Sequence, residues 1–401
     1  MSTPTTILCR IHGLDRPGIT AGLMQVLATT GADLYDVEQV VVRGRLTLDV
    51  LFSAPEGQST VKDLLFYGWE AGLEVDFDVV ETAPSSVPLT AAVTIVGVKV
   101  GPAAFGAAAE VIAKAGGNID RIVRLSRYPV VSYELMVAGG VFAELKQNLV
   151  VAAAEHGFDV AVQEERLERR MKRLVVIDVD STLIQDEAID MLAERAGVAA
   201  EVAAVTDLAM EGRLDFARAL EERVALLAGL DVSILDQVAR EVRLTPGART
   251  LVRTLKRAGM RTAIVSGGFT RVTDHLAQEL GVDHAVANTL QVVDGRLTGR
   301  LEGEIVDRAG KARVVREIAE AEGIPLEQVV AIGDGANDLD MLATAGLGVA
   351  FNARSKVRAA ADAALNVPFL DAILFMLGIP RHEIAGNGDE DVVPVPGLPP
   401  V

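Results

Sequence analysis

Four short stretches gather residue types that can hold and transfer an anion. Asp178-Val179-Asp180-Ser181-Thr182-Leu183 follows the apolar run Leu174 to Ile177. If the strand continues, residues two apart face the same way and the two carboxylates lie close together. Close carboxylates repel unless a cation or a shared proton relieves them. One can then act as a nucleophile and the other as acid and later base. A turn or a helix cap uses the same residue types. Val265-Ser266-Gly267-Gly268-Phe269 sets a hydroxyl and two glycines after a strand, so that backbone N–H groups can approach an anion. A tight turn has that composition too. Lys311, read as opening a helix after Gly310, adds a compact positive charge, although a solvated surface lysine looks no different in isolation. Ile332-Gly333-Asp334-Gly335-Ala336-Asn337-Asp338 supplies two more carboxylates, which suit a hard, oxygen-seeking cation such as Mg²⁺.

These groups need a scaffold that brings them together, and open parallel sheets collect reactive groups beyond the carboxyl ends of their strands. Leu174 to Asp180, Thr262 to Ser266, Val329 to Asp334 and Leu347 to Phe351 read as short buried strands. Helical stretches such as Ala248 to Ala258 and Lys311 to Glu322 alternate with them, which predicts a Rossmann-like parallel sheet covered on both faces. Residues 186–243 break the rhythm with almost wholly helical sequence, the pattern of an inserted cap. Val293-Asp294-Gly295-Arg296 carries a hairpin turn.

The N-terminal part reads differently. Residues 6–80 predict strand, helix, strand, strand, helix, strand, and residues 91–163 repeat the pattern. Setting Gly31 on Gly116 also brings Pro17 onto Pro102, Val26 onto Val111 and Ala28 onto Ala113, a degenerate internal duplication. Each copy suits a four-stranded antiparallel sheet with two helices on one face. The resulting division is 1–84, 89–165, 172–385 with a cap at about 186–243, and an acidic, proline-rich tail, 386–401, for which disorder is expected.

Composition narrows the partners of this 401-residue chain. A formal charge of −18 argues against a nucleic-acid surface, which needs clustered Lys and Arg. Mean hydropathy is positive, yet no run of 18 or more apolar residues is present, so no membrane span is expected. Met1 to Thr6 has no basic region followed by an apolar core, so no secretory leader is expected, and with a single cysteine, Cys9, read as a buried thiol, the expected location is the cytoplasm.

In order and context the four stretches resemble the motifs of the haloacid-dehalogenase superfamily, and the Asp178-Val179-Asp180-Ser181-Thr182 form resembles its phosphatase branch. Glu187, together with Met210-Glu211-Gly212-Arg213-Leu214-Asp215-Phe216 before Arg223, is similar to the substrate-recognition segment of the phosphoserine-hydrolysing members. The resemblance spans roughly residues 173–377. It implies Asp178 as nucleophile and Asp180 as acid and base. It implies a Mg²⁺ held by the Asp178 side chain, the Asp180 carbonyl and Asp334, with Asp338 steadying that shell. Lys311, Ser266, Gly267 and Asn337 would gather the phosphoryl oxygens. Arg223 would take a carboxylate and Glu187 an ammonium, with Met210 and Phe216 walling the pocket.

The duplicated modules resemble ACT domains, which bind small molecules, often amino acids, between copies. Gly13-Leu14-Asp15-Arg16-Pro17-Gly18-Ile19 is the informative turn, and its Asp15 and Gly18 are the candidate effector-binding positions. The second copy departs from it, with Ala103 where the first has Gly18. Serine, as product, is the expected effector, and the pairing typical of ACT domains makes a homodimer the expected assembly. A purely structural pair, a phosphatase or phosphotransferase acting on another phosphate ester, and a catalytically inert amino-acid sensor are the alternatives.

Overall fold

The computed structural model describes residues 5–54, 59–80, 87–210 and 213–384, with the backbone alone at Met210. The tail expected to be disordered and residues 81–86, like Glu211 and Gly212, lie outside the described residues. The chain forms two compact units, Met1–Ser86 and Val87–Val401.

The first unit runs β1 (Thr6–Leu14), α1 (Ile19–Thr29), β2 (Asp33–Val42), β3 (Arg45–Ser53), α2 (Thr60–Ala71) and β4 (Glu74–Val80). Its antiparallel sheet has the order β2-β3-β1-β4. Alternation sends Ile7, Cys9, Ile11, Leu48 and Val50 inward against Leu23 and Leu64 of the helices. Cys9 is fully buried, and burial, with Asp49 and Asp76 nearby, pushes its thiol up to about 12.

The second unit opens with the repeat of that pattern: β5 (Leu89–Gly97), α3 (Pro102–Lys114), β6 (Gly117–Ser126), β7 (Val131–Gly139), α4 (Phe142–His156) and β8 (Asp159–Glu164). A short helix, α5 (Leu167–Arg170), leads to β9 (Leu174–Ile177). Four helices follow as the insertion, α6 (Ala188–Ala196), α7 (Ala199–Met210), α8 (Phe216–Ala225) and α9 (Ser233–Glu241). Then come α10 (Ala248–Arg257), β10 (Arg261–Phe269), α11 (Thr270–Leu280), β11 (His284–Val293) and β12 (Arg296–Glu302). The chain finishes through α12 (Arg308–Ala321), β13 (Val329–Gly333), α13 (Leu339–Thr344), β14 (Leu347–Phe351), α14 (Ser355–Ala360), β15 (Ala363–Leu365) and α15 (Ile373–Met376).

Strands β11, β10, β9, β13, β14 and β15 are parallel neighbours in that order, and the central β9, β13 and β14 are wholly apolar and buried because both faces are covered. The chain moves outward from β9 through β10 to β11, then returns to the other side of β9 with β13. The switch point therefore lies at the carboxyl end of β9, where Asp178 begins. The turn between β11 and β12 has Asp294 at φ 49° and Gly295 at φ 75°, the left-handed pair that an Asp-Gly hairpin requires.

The second repeat is not a free-standing sheet. Its strand β8 pairs antiparallel with β15, so one eleven-stranded sheet runs from β12 to β6. One face of the repeat packs on α3 and α4. Its other face contributes Val96 and Ala161 to the cluster that holds Ile177 and Phe375. In the first unit the corresponding face carries Arg10, Asp49, Asp76 and Asp78, so the two copies have diverged there.

Candidate active site

Strand β9 ends at Ile177, one residue before the first carboxylate. Asp178 and Asp180 are therefore not alternate residues of one strand, as the spacing suggested. The chain instead makes a wide turn, with Leu183 N–H donating to the Asp178 carbonyl at 3.2 Å and Ile184 N–H to the Val179 carbonyl at 3.0 Å. Ser181 takes the left-handed conformation, φ 58°, that closes this turn. Asp180 is swung toward the cap: its Oδ1 accepts from the Ala188 N–H at 2.9 Å and its Oδ2 from Ser266 Oγ at 2.8 Å.

Lys311 is completely buried, not a surface lysine. Its helix begins three residues earlier than the sequence suggested, because Asp307 caps it by accepting from the Gly310 N–H at 2.7 Å. The ammonium sits between Asp178 and Asp338, donating to Asp178 Oδ1 and, at 2.6 Å, to Asp338 Oδ1. Burial alone would lower its pKa, but those two carboxylates outweigh it and raise the value.

Asp338 Oδ2 accepts from the Gly335 N–H at 2.9 Å, which fixes the loop after β13. Thr182 Oγ1 donates to Asp334 Oδ1 at 3.1 Å and ties that loop to the first. Oxygens of Asp178, Asp334 and Asp338 all lie within 4.8 Å of one another. Burial, then Asp338, pushes the Asp178 carboxyl well above the usual range and Asp334 up to about 6. One ammonium does not balance this many carboxylates. The donor set is hard oxygen with surplus negative charge, and it fits a divalent cation.

The Ser266 loop needs its glycines for room. A Cβ at Gly268 would stand 2.8 Å from Asp180 Oδ2 and 2.9 Å from Ser266 Oγ, and one at Gly267 would stand 2.8 Å from the Phe216 ring. Phe216 thus lies over the loop, as a pocket wall would. Gly268 N–H donates to Ser266 Oγ at 2.7 Å.

From the cap side, Glu187 accepts from Ser181 Oγ at 2.9 Å. Its carboxylate faces solvent, yet crowding by the protein, then the negative field of Asp180, pushes it up to about 7. Arg223 donates through Nε to the Ala219 carbonyl at 3.2 Å, within the field of Glu187 and Asp190. Two groups of opposite charge therefore share the space above Asp180. Asn337 lies in the single turn 336–338 beside Asp338. Met210 closes α7, and its side chain is outside the described residues.

Three contributors were missed. Thr182 stood in the quoted motif without a role. Asp190, one turn after Glu187, adds to the negative field around Arg223. Asn288 is buried in β11, donating from Nδ2 to the Gly267 carbonyl at 2.8 Å and accepting from the Val306 N–H at 2.8 Å. Its strand also carries His284, Thr289 and Gln291, so nothing in the sequence marks Asn288 as the buried amide that must find partners.

Residues 175–343 match the haloacid dehalogenase-like hydrolase family, and residues 5–78 and 89–163 each match an ACT domain family. Over 400 residues the chain is 52% identical to a phosphoserine phosphatase of Streptomyces coelicolor, covering 98% of each chain. The chain belongs to the phosphoserine phosphatase family. A second such phosphatase, from Mycobacterium tuberculosis, is 48% identical over 398 residues, covering 97% of each chain. A crystal structure of a probable phosphoserine phosphatase from Vibrio cholerae superposes with a TM-score of 0.58 at 34% identity, over 73% of this chain and 88% of that one. The acidic cluster at the switch point is accordingly the candidate centre of a haloacid dehalogenase-like phosphatase with two ACT domains ahead of it. Among the described residues no helix is long and apolar enough to cross a membrane.

Proposed function

We propose that this chain hydrolyses O-phospho-L-serine to L-serine and phosphate, the last step of serine biosynthesis, through an aspartyl-phosphate on Asp178. The observation that carries the reading is the convergence of two kinds of group. The buried Asp178–Lys311–Asp338 cluster suits phosphoryl transfer, and Glu187 and Arg223 offer opposite charges to an amino-acid backbone. A sugar phosphate has neither ammonium nor carboxylate to meet them.

An Asp178 carboxylate oxygen attacks phosphorus while protonated Asp180 gives its proton to the departing seryl oxygen. Asp180 then takes a proton from the water that attacks the aspartyl-phosphate, which releases phosphate and restores Asp178. Acid–base help of this kind typically contributes about 10²- to 10⁴-fold. Ser266 Oγ bonds Asp180 and so aims it. Lys311, Ser266, the Gly267 N–H and Asn337 gather the phosphoryl oxygens, and Phe216 excludes water from them. Asp178, the Asp180 carbonyl and Asp334 would hold Mg²⁺, with Asp338 steadying that shell. When bound, the ion neutralises charge on the phosphoryl group.

Serine is proposed as the effector at the turn of the first ACT domain, near Asp15 and Gly18. Gly18 sits at φ 96°, and this leaves the turn open ahead of α1. The equivalent turn of the second copy starts its helix at Pro102, with Gly101 at φ −89°, so Ala103 lies inside the helix. A homodimer is supported by β2, an edge strand exposed along its whole length and carrying Leu34, Tyr35, Val40 and Val42.

Phosphate release should be measured from L-phosphoserine, phosphothreonine and a sugar phosphate, with and without Mg²⁺. Metal-dependent release selective for phosphoserine is expected. Preference for the sugar phosphate would overturn the substrate, and silence on all three would restore the inert-sensor reading. Calorimetric titration with serine tests the effector, and absence of binding outside the catalytic site would remove it.

A further inference from the structure

A cavity of about 670 Å³ opens where the second ACT domain joins the phosphatase sheet, and none of Asp178, Lys311, Asp334 and Asp338 lines it. Its size is that of a small-molecule site. It lies beside the single pairing between β8 and β15, Ala161 with Ala363, with α4 on one side and α14 on the other. Short side chains, among them Ala153, Ala361 and Ala363, leave the floor apolar and roomy.

Two cations and two carboxylates line this cavity, and the cations carry the fewer bonds. Lys99 and Arg358 are both exposed and line it, so they stand at its mouth. Lys99 has no partner among the described residues, and Arg358 makes one bond, Nη1 to Asn366 Oδ1 at 3.2 Å. The carboxylates in the wall are already engaged. Asp159 accepts from the Asn366 N–H at 2.7 Å and from its Nδ2 at 2.5 Å. Asp362 accepts from Lys146 at 2.6 Å and from the Gly348 N–H at 2.9 Å. The site thus offers donors to an anion and a floor to an apolar body, but no uncommitted carboxylate for an ammonium.

We propose that this cavity binds a small amphiphilic monocarboxylate, its apolar body on the alanine floor and its carboxylate between Lys99 and Arg358. This ligand is not an amino acid, which separates the site from both the catalytic pocket and the first ACT turn. A molecule seated here touches both lobes at their seam.

Three probes isolate the claim: 3-phenylpropionate, L-phenylalanine (the same skeleton with an ammonium) and the uncharged 3-phenylpropionamide. Each is titrated calorimetrically into the full chain with Mg²⁺. Saturable binding of 3-phenylpropionate is expected, at least about 10-fold tighter than that of the other two. Arg358→Glu should weaken it by about 10-fold or more without changing basal phosphate release. Ala153→Trp should fill the floor and abolish it. Because Ala153→Trp can disturb α4, the exposed variant Lys99→Glu is measured beside it and should weaken binding as Arg358→Glu does. Absence of saturation at millimolar concentration overturns the proposal. So does equal binding of acid and amide, tighter binding of L-phenylalanine, or binding that survives both charge reversals.

Discussion

Two buried residues in ion-paired contact, Asp178 and Lys311, carry opposite consequences for stability. Replacing Asp178 by Asn removes the proposed nucleophile but leaves Lys311 paired with Asp338, so turnover should vanish while the fold persists. Replacing Lys311 by Ala leaves Asp178 and Asp338 buried without a cation. Breaking one side of a buried pair costs roughly 3–5 kcal/mol. Urea unfolding in EDTA should therefore show a large loss for Lys311→Ala and little for Asp178→Asn; equal losses would mean that the ammonium is not what balances the cluster. Glu187 makes a prediction in pH. Its carboxyl is pushed up to about 7, so it is charged above that pH and neutral below it. At saturating Mg²⁺ the proposed metal ligands stay ionised, and kcat/KM for phosphoserine should fall as pH drops through about 7. p-Nitrophenyl phosphate has no ammonium for Glu187 to meet, so it should lack this limb, as should phosphoserine with Glu187→Gln. The same limb on both substrates would place the titration elsewhere.

At the scale of elements, most of the scaffold could be read in advance because hydrophobic periodicity is a local property. β14 falls at the expected residues, Leu347 to Phe351, and the buried strands announced themselves as apolar runs. What escaped was where strands stop. A period-two pattern continues formally through Asp178 and Asp180, and only backbone hydrogen bonding reveals the wide turn that aims Asp180 at Ser266. Lys311 was legible as a cation near the strand ends but not as a buried one, since its place is set by Asp178 and Asp338, which are remote from it in sequence. The close approach in the Ser266 loop yields a test. Gly268→Ala would push a methyl group against Asp180 and Ser266, and displacements near 1 Å can cost on the order of 10²-fold in rate. The expected result is a lower kcat with metal affinity kept, because the added methyl meets the carboxylate of Asp180 and not the backbone carbonyl proposed to hold the ion. Unchanged kcat would show that Asp180 tolerates being moved.

For the whole molecule, the duplication identifies two similar modules, yet the structure uses them differently. Residues 1–86 form a unit with its own core, whereas the second ACT domain shares its sheet and one face with the phosphatase. The reason is not visible from the repeat itself, since inward-facing positions are apolar in both copies. It lies on the opposite face, charged in the first copy and built from Ala92, Thr94, Val96 and Ala161 in the second, all fully buried. Polar ties complete the joint: Gln163 Nε2 donates to the Met376 carbonyl at 2.8 Å, and Arg169, only 8% exposed, pairs with Glu134 at 3.0 Å and Glu165 at 2.7 Å. Deleting residues 1–86 should therefore leave a soluble, metal-dependent phosphatase, while deleting 1–165 should strip an apolar face and yield aggregate. Within the intact chain, Arg169→Ala isolates the joint. It leaves Glu134 buried without its cation, at a cost of roughly 3–5 kcal/mol, and the loss should be seen in unfolding of the catalytic unit although Arg169 is remote from Asp178. If the unit lacking residues 1–165 proved as stable as the one lacking 1–86, the shared sheet would be an adjacency and not a structural dependence.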